Sequence, residues 1–147
     1  MAEDASVPEA LGSLDSLEAF LAENPQDGLT DDIELSRRLT DAGFKFTITA
    51  PTGDEFSSYQ KEALRIGRHR KVDFDTKRFN ELLIINHTKS PNFRKTEFLQ
   101  KLRVTTPEQA MNKVLRAGEI QDLSTAIQKL AGFQSDDGED LDTQAKN

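Results

Sequence analysis

The histidines and serines of this sequence lack the companions that catalysis requires. The two histidines, His69 and His87, have no second metal ligand at helical spacing, so we expect both to be solvated rather than metal-bound. Ser57 and Ser58 lack the glycine-flanked turn of a nucleophilic serine. The absence of cysteine excludes a thiol nucleophile and any disulfide. We therefore expect no enzymatic activity, no metal and no cofactor.

A pair of carboxylates, Asp73 and Asp75, precedes a predicted helix that begins at about Thr76. Carboxylates two positions apart can bind a hard cation or act together as an acid and a base. The oxygen-rich loop that calcium requires is missing here. A carboxylate just before a helix commonly accepts hydrogen bonds from the free backbone N–H groups of the first turn. We interpret the two aspartates as helix caps.

The most basic stretch of the chain lies at residues 65–71, with Arg65, Arg68, Arg70 and Lys71 around a histidine. One interpretation is a contact with phosphate or nucleic acid, and the other is a solvated loop between two helices. Proteins that bind nucleic acid usually spread their bases over a face that also offers aromatic stacking partners. The aromatic residues of this chain are predicted to belong to the core, so we favour the solvated loop.

Charge is distributed unevenly along the chain, whose net charge is -7. Ten acids and no base precede Leu35, fifteen bases and eight acids follow up to Val104, and the remainder holds four bases and eight acids. A basic middle is thus flanked by acidic ends. The overall acidity argues against long-range electrostatic attraction to nucleic acid. Acidic ends can also keep an aggregation-prone central region in solution.

Length and composition place the chain among soluble globular proteins of one domain. It has 147 residues, of which 35% are hydrophobic and 31% charged. No apolar run approaches the roughly 20 residues needed to cross a bilayer, and the N-terminus has neither the basic start nor the apolar core of a secretory signal. We expect a cytoplasmic protein without membrane contact.

Apolar spacing predicts a mostly helical α+β domain with a small β-hairpin. Segments 1–12 and 134–147 are acidic and predicted to be disordered, and residues 13–133 are predicted to form the folded domain. Within it, an amphipathic helix ends before Pro25 and either docks on its own core or binds a partner or a neighbouring copy. Its apolar stripe consists of Leu14, Leu17, Phe20 and Leu21.

The β-hairpin is predicted at about residues 33–50, with its turn at Thr40–Gly43. Its first strand would run from Ile33 to Leu39, where alternation is imperfect. Its second strand would lay one face against the helices. That face consists of Phe44, Phe46 and Ile48.

Further helices are predicted after the hairpin, at 52–67, 76–88, 93–102, from 107 onward and at 117–132. The first would carry an apolar stripe of Phe56, Tyr59, Ala63, Leu64 and Ile66. The helix at 76–88 contains the run LLII, which is apolar on nearly every side, so it is predicted to be the central helix of the core.

Three segments resemble the XkdN-like tail assembly chaperones of bacteriophages and prophages. They are SLEAFLAEN at 16–24, the basic loop leading into FDTKRFNELLIINHTKSPNF at 74–93, and VLRAGEIQDLSTAIQKLAGF at 114–133. Ala117 departs from the pattern, because such proteins often have proline before Gly-Glu. The resemblance covers most of the chain.

The resemblance implies a chaperone that keeps the apolar, helix-prone tape measure protein soluble in the bacterial host cytoplasm and is absent from the finished virion. It also implies that a frameshifted longer form recruits the tail tube protein, with this chain as the shorter product. A holdase needs an apolar groove between helices, and the predicted client-binding residues are Phe79, Leu83, Phe98, Leu102, Met111, Leu115, Ile127 and Leu130. Two alternatives remain, a nucleic-acid-associated regulator that uses residues 65–71 and a structural tail-completion subunit.

Overall fold

The helix that the sequence predicts to be central is the most deeply buried element of the structure. A computed structural model of the chain describes residues 14–23 and 28–133, and the segments predicted to be disordered, 1–12 and 134–147, lie outside the described residues. The helices are α1 (Leu14–Glu23), α2 (Arg37–Asp41), α3 (Gly53–Ala63), α4 (Thr76–His87), α5 (Thr96–Leu102), α6 (Pro107–Val114) and α7 (Ala117–Leu130). The strands are β1 (Thr30–Ile33), β2 (Phe46–Thr49), β3 (Leu64–Ile66), β4 (Val72–Phe74) and β5 (Thr88–Ser90). The predicted α+β class with a predominance of helix is confirmed.

Helix α4 packs against α3, α6 and α7, and continues directly into β5. Its four consecutive apolar residues are all buried, which confirms the predicted core helix. They are Leu82, Leu83, Ile84 and Ile85. Because successive residues of a helix point in directions about 100° apart, four buried neighbours require cover on every side. The surrounding helices and the sheet supply that cover.

Local sequence signals set the helix starts as expected. Thr52 accepts a hydrogen bond from the Glu55 backbone N–H while the Glu55 carboxylate accepts one from the Thr52 N–H, which forms a capping box. Asp75 caps α4 by accepting the Arg78 N–H at 3.1 Å, as predicted. The Asp73 carboxylate accepts only the N–H of the next residue, at 3.0 Å, so its predicted role in capping α4 is wrong.

The main sheet has three antiparallel strands in the order β1-β2-β5. The second predicted strand is confirmed as β2, and Gly43 has the positive φ (+88°) that the turn requires. The first strand lies earlier than predicted, because the residues around Leu39 form helix α2 instead. In this helix Leu39 is buried in the core and Arg38 donates a hydrogen bond to a carboxylate on α7.

A second antiparallel ribbon, β3–β4, replaces the predicted end of a helix and the predicted loop at 65–71. Helix α3 ends at Ala63, whose carbonyl accepts the Asp75 N–H at 2.8 Å, so the helix does not extend to Gly67 as expected. Leu64 and Ile66 therefore lie on a strand, where both are exposed, rather than on the buried stripe of a helix. Residues 64–74 are called the β3–β4 ribbon below.

Replacing Leu83, which has no exposed surface, should destabilise the fold strongly. Leu83→Ala removes three buried carbon atoms and leaves a cavity, so we expect the free energy of unfolding to fall by about 3 kcal/mol. Urea unfolding followed by circular dichroism measures this change. Ile66→Ala, at a side chain that is 78% exposed, is the matched control and should change stability by less than about 0.5 kcal/mol. Equal effects of the two substitutions would contradict the central position of α4.

Candidate functional site

A groove of about 370 Å³ among the described residues is lined almost entirely by apolar side chains. We call it the apolar groove; it is lined by Leu39, Phe44, Lys45, Phe46, Ser90, Pro91, Phe98, Leu102 and Val114. Only two of these residues, Lys45 and Ser90, have polar side chains. The volume falls at the lower end of the roughly 300–1,000 Å³ typical of ligand pockets. The groove is therefore large enough to accept a few apolar side chains of a partner.

Several parts of the chain form the walls of the groove, among them Leu39 of α2, Phe46 of β2 and Val114 of α6. The turn between α2 and β2 supplies Phe44, the end of β5 supplies Pro91, and α5 supplies Phe98 and Leu102, four residues apart on one helix face. Phe93, which is fully buried, contacts Phe98 edge to face with ring centroids 5.8 Å apart. The α5 wall is thus anchored on the core rather than free to collapse into the groove.

The eight predicted client-binding residues divide between the core and the surface. Phe98 and Leu102 line the apolar groove. Leu130 is half-buried and lines a separate depression of about 470 Å³ beside Pro51. The other five are buried in the core and do not reach the groove surface: Phe79, Leu83, Met111, Leu115 and Ile127. The structure therefore has an apolar groove that contains two of the eight predicted residues, and their role in binding a client stays a prediction.

Phe44 is the exposed groove residue that sequence reasoning assigned to the wrong environment. Strand alternation predicted that Phe44, Phe46 and Ile48 all pack inward, and the structure buries Phe46 and Ile48 but leaves Phe44 59% exposed. The strand begins only at Phe46, so the alternation does not apply two residues earlier. Its place directly after Gly43, whose φ is positive, was the available signal that Phe44 belongs to the turn.

A buried carboxylate fixes the position of α2, which carries the groove residue Leu39. Glu119, on the first turn of α7, is 6% exposed. It accepts hydrogen bonds from Arg38 Nε at 2.8 Å, Arg38 Nη2 at 2.5 Å, Ser36 Oγ at 2.5 Å and the Arg116 backbone N–H at 2.7 Å. These bonds, led by the two from Arg38, lower the pKa of Glu119 to about 2. The ionised carboxylate ties α2 to α7.

His87 is buried, so the expectation of a solvated histidine is wrong for this residue. It is 5% exposed, with Nε2 2.8 Å from the Tyr59 hydroxyl and Nδ1 3.1 Å from Thr49 Oγ1. Burial raises the pKa of Tyr59 to about 12, so the phenol keeps its proton. Burial also lowers the pKa of His87. A neutral imidazole thus joins α3, α4 and β2. His69, in contrast, is exposed at the tip of the β3–β4 ribbon.

The comparisons with known proteins agree with the fold and with the sequence motifs. Residues 17–146 match the family of phage XkdN-like tail assembly chaperone proteins. The chain belongs to this family. A search of curated proteins finds no match. Among solved structures, the chaperone is similar to the crystal structure of the protein YqbN, with a TM-score of 0.56 and 20% identity over 72% of this chain and 87% of that chain. At this identity the likeness shows the fold alone.

The family assignment makes the chaperone a phage tail assembly protein whose partners are proteins of tail assembly. The departure at Ala117 is accommodated by the structure. Ala117 is the first residue of α7, a position where proline is also favoured because its backbone N–H has no partner within the helix. Within residues 14–23 and 28–133, no helix is both long enough and apolar enough to span a bilayer.

Glu119→Gln should lower the free energy of unfolding of the chaperone by an amount that depends on pH. The pKa of Glu119 is about 2 in the folded state against an ordinary value of 4.5, so its contribution is complete above pH 4.5 and is lost as the pH falls towards 2. At pH 7 we expect Glu119→Gln to lower the free energy of unfolding by about 2 kcal/mol, because a charged acceptor of four hydrogen bonds is lost. Urea unfolding between pH 7 and pH 3 measures this. A stability difference between the wild type and the variant that stays constant over this range would contradict the stabilising role of the ionised Glu119 carboxylate.

His87→Gln tests whether the buried imidazole makes the stability of the chaperone depend on pH. Because the pKa of His87 in the folded state lies below its ordinary value of 6.5, the unfolded chain binds the proton first. The wild type should therefore lose stability as the pH falls below 6.5, whereas the glutamine variant should lose less over the same range. Urea midpoints at pH 7.5 and 5.5 give the comparison. Replacing the exposed histidine by His69→Gln is the matched control and should leave the wild-type pH dependence intact.

Proposed function

We propose that this chaperone binds the tape measure protein and keeps it soluble while the tail is assembled. The observation that carries the proposal is the apolar groove, whose lining includes Phe98 and Leu102 of α5 and an exposed Phe44. An amphipathic helix can place its apolar side chains in such a groove, with anchors spaced three, four and seven residues apart. The tape measure protein is the tail component with long apolar helices.

The charge of the chain supports a role in keeping a client dissolved. The chain has a net charge of -7, and the lining of the groove contains one charged residue, Lys45, so most of the charge lies outside the groove. A complex with a large net charge repels other copies of itself, which opposes aggregation of an apolar client. The chaperone acts in this proposal without catalysis, in the cytoplasm of the bacterial host, and is released before the virion is complete.

We also infer two further partners. A longer frameshifted form would recruit the tail tube protein, which brings tube subunits to the chaperone-bound tape measure protein. Copies of the chaperone would associate with one another through α1. This helix presents an exposed apolar stripe of Leu14, Leu17, Phe20 and Leu21, with exposed fractions of 77%, 47%, 57% and 43%. Such a stripe on a short surface helix is typical of a contact with another polypeptide.

Phe44→Ser tests the groove directly, because this exposed side chain contributes to the groove and little to the core. We expect binding of helical peptides from the tape measure protein to weaken about tenfold, corresponding to the loss of one partly buried phenylalanine contact. Fluorescence anisotropy with labelled peptides measures the dissociation constant. Co-expression with the tape measure protein should also yield less soluble client.

The matched control is Phe133→Ser, at a phenylalanine that is 45% exposed and stacks on Phe56 instead of lining the groove. It should leave peptide affinity unchanged. Raising the salt concentration from 0.1 to 1 M should preserve or strengthen binding of the client, because apolar contacts are not screened. A steep loss of affinity with salt would favour a phosphate-binding regulator instead. Retention of the chain in purified virions would favour a structural subunit.

A further inference from the structure

The β3–β4 ribbon presents four large apolar side chains on one face. The strand register pairs Leu64 with Phe74 and Ile66 with Val72, and cross-strand partners point to the same side of a ribbon. The exposed fractions of Leu64, Ile66, Val72 and Phe74 are 49%, 78%, 62% and 40%. Contiguous exposed apolar residues of this kind mark interaction surfaces. The ribbon face is separate from the apolar groove, because none of its four residues lines that groove.

Positive charge surrounds the tip of the ribbon. The turn between the strands carries Arg68, Arg70 and Lys71, all exposed. The residues His69 and Arg70 have left-handed backbone conformations, with φ of 63° and 60°. Arg65, on the opposite face from the four apolar residues, forms an ion pair with Asp75 at 2.5 Å. A partner for the ribbon must therefore offer an apolar stripe and negative charge together.

Helix α1 has the complementary chemistry. Its ten residues carry three acids, Asp15, Glu18 and Glu23, and no base, beside the apolar stripe. The helix buries none of its residues. Isolated helices shorter than about 12–15 residues are marginal in water, so α1 gains stability from a surface that covers its stripe.

We propose that α1 of one copy docks on the β3–β4 ribbon of a second copy. The apolar stripe of the helix covers the ribbon face, and the acids of the helix approach the basic tip. The apolar groove is the poorer acceptor for this helix, because Lys45 is the only base in its lining. This inference rests on the proposed self-association through α1 and assigns the surface that receives the helix.

The exposure of both surfaces favours a second copy over the same chain. Helix α1 and the ribbon both belong to the described residues, yet α1 buries none of its residues and the four apolar side chains of the ribbon are 40–78% exposed. The two surfaces of one chain therefore do not cover each other, and a second copy can supply that contact.

Docking of this kind joins unlike surfaces, so each copy donates one helix and accepts another. Such a heterologous contact leaves a free donor and a free acceptor on every pair unless a ring closes. Growth beyond a dimer is therefore expected as concentration rises. The apolar groove remains open in every copy, so association and client binding do not compete for one surface.

Sedimentation equilibrium of the full chain across a range of concentrations tests the proposal. The wild type should form species larger than a monomer as concentration rises. Two uncharged double variants, Leu17→Ser/Leu21→Ser on α1 and Ile66→Ser/Val72→Ser on the ribbon, should each weaken association at least tenfold. All four side chains are exposed, so circular dichroism and thermal unfolding should show native folds. Phe44→Ser is the control and should associate like the wild type.

An equimolar mixture of the two double variants separates this docking from other modes of association. One variant retains the ribbon and the other retains α1, so the mixture should form a heterodimer that neither variant forms with itself. Association of the ribbon variant at wild-type strength, with loss only in the α1 variant, would overturn the assignment of the ribbon while leaving self-association through α1 in place. A wild type that stays monomeric would overturn both, and peptide binding by the groove would be unaffected.

A charge-reversed variant keeps the test decisive if a ribbon substitution unfolds the protein. Arg68→Glu/Lys71→Glu leaves the apolar face intact and should also weaken association at least tenfold, because the tip would then repel the acidic helix. A labelled single-stranded oligonucleotide provides the competing case. Oligonucleotide binding that depends on Arg68 and Lys71, without any effect of these residues on self-association, would overturn the proposal in favour of a nucleic-acid surface.

Discussion

The structure depends on one requirement, which is that four consecutive apolar residues of α4 be covered on all sides. A helix on the surface of a small protein needs cover along one stripe, and such a stripe can be supplied by one neighbour. The run Leu82–Ile85 needs α3, α6 and α7 around it, with β5 extending from its end. The apolar faces of these helices pack against α4. The apolar residues that remain exposed on α1 and the ribbon, and those of α5 that line the groove, form the surfaces that we propose for partners.

The Arg38–Glu119 ion pair connects this core to the proposed binding surface. Arg38 and the groove residue Leu39 are neighbours on α2, so the position of one groove wall depends on a carboxylate at the start of α7. Gly118, the other member of the Gly-Glu pair, has open space where a Cβ would lie. In the Gly-Glu pair at the start of α7, Glu119 therefore holds the structure together through its hydrogen bonds. No steric constraint requires a glycine at position 118. A solvent-exposed ion pair would contribute little, but Glu119 is buried and its four hydrogen bonds replace water.

Sequence reasoning predicted the elements whose signals are local and strong. The cap at Asp75 and the apolar run of α4 each depend on a few neighbouring residues, and the structure confirms both. Helix α2 and the β3–β4 ribbon were missed because both are short. In five or three residues, helical and alternating patterns fit equally well, and distant contacts decide between them. The bond from Arg38 to Glu119 joins residues 81 positions apart, which no local pattern contains.

The candidate site was harder to predict than the fold, since burial and binding use the same side chains. Phe98 and Phe79 are both aromatic residues on helices, yet one lines the groove and the other is buried beneath Phe56 and Phe74. Periodicity identifies the apolar face of a helix but not whether that face meets the same chain or another one. For an assembly chaperone this ambiguity has a physical origin. A surface that binds an apolar client must itself resemble a core, and only the absence of a covering element in the same chain distinguishes it. Phe44 of the groove, Ile66 of the ribbon and Leu17 of α1 meet that criterion by their exposure, whereas Leu83 and Ile127 do not.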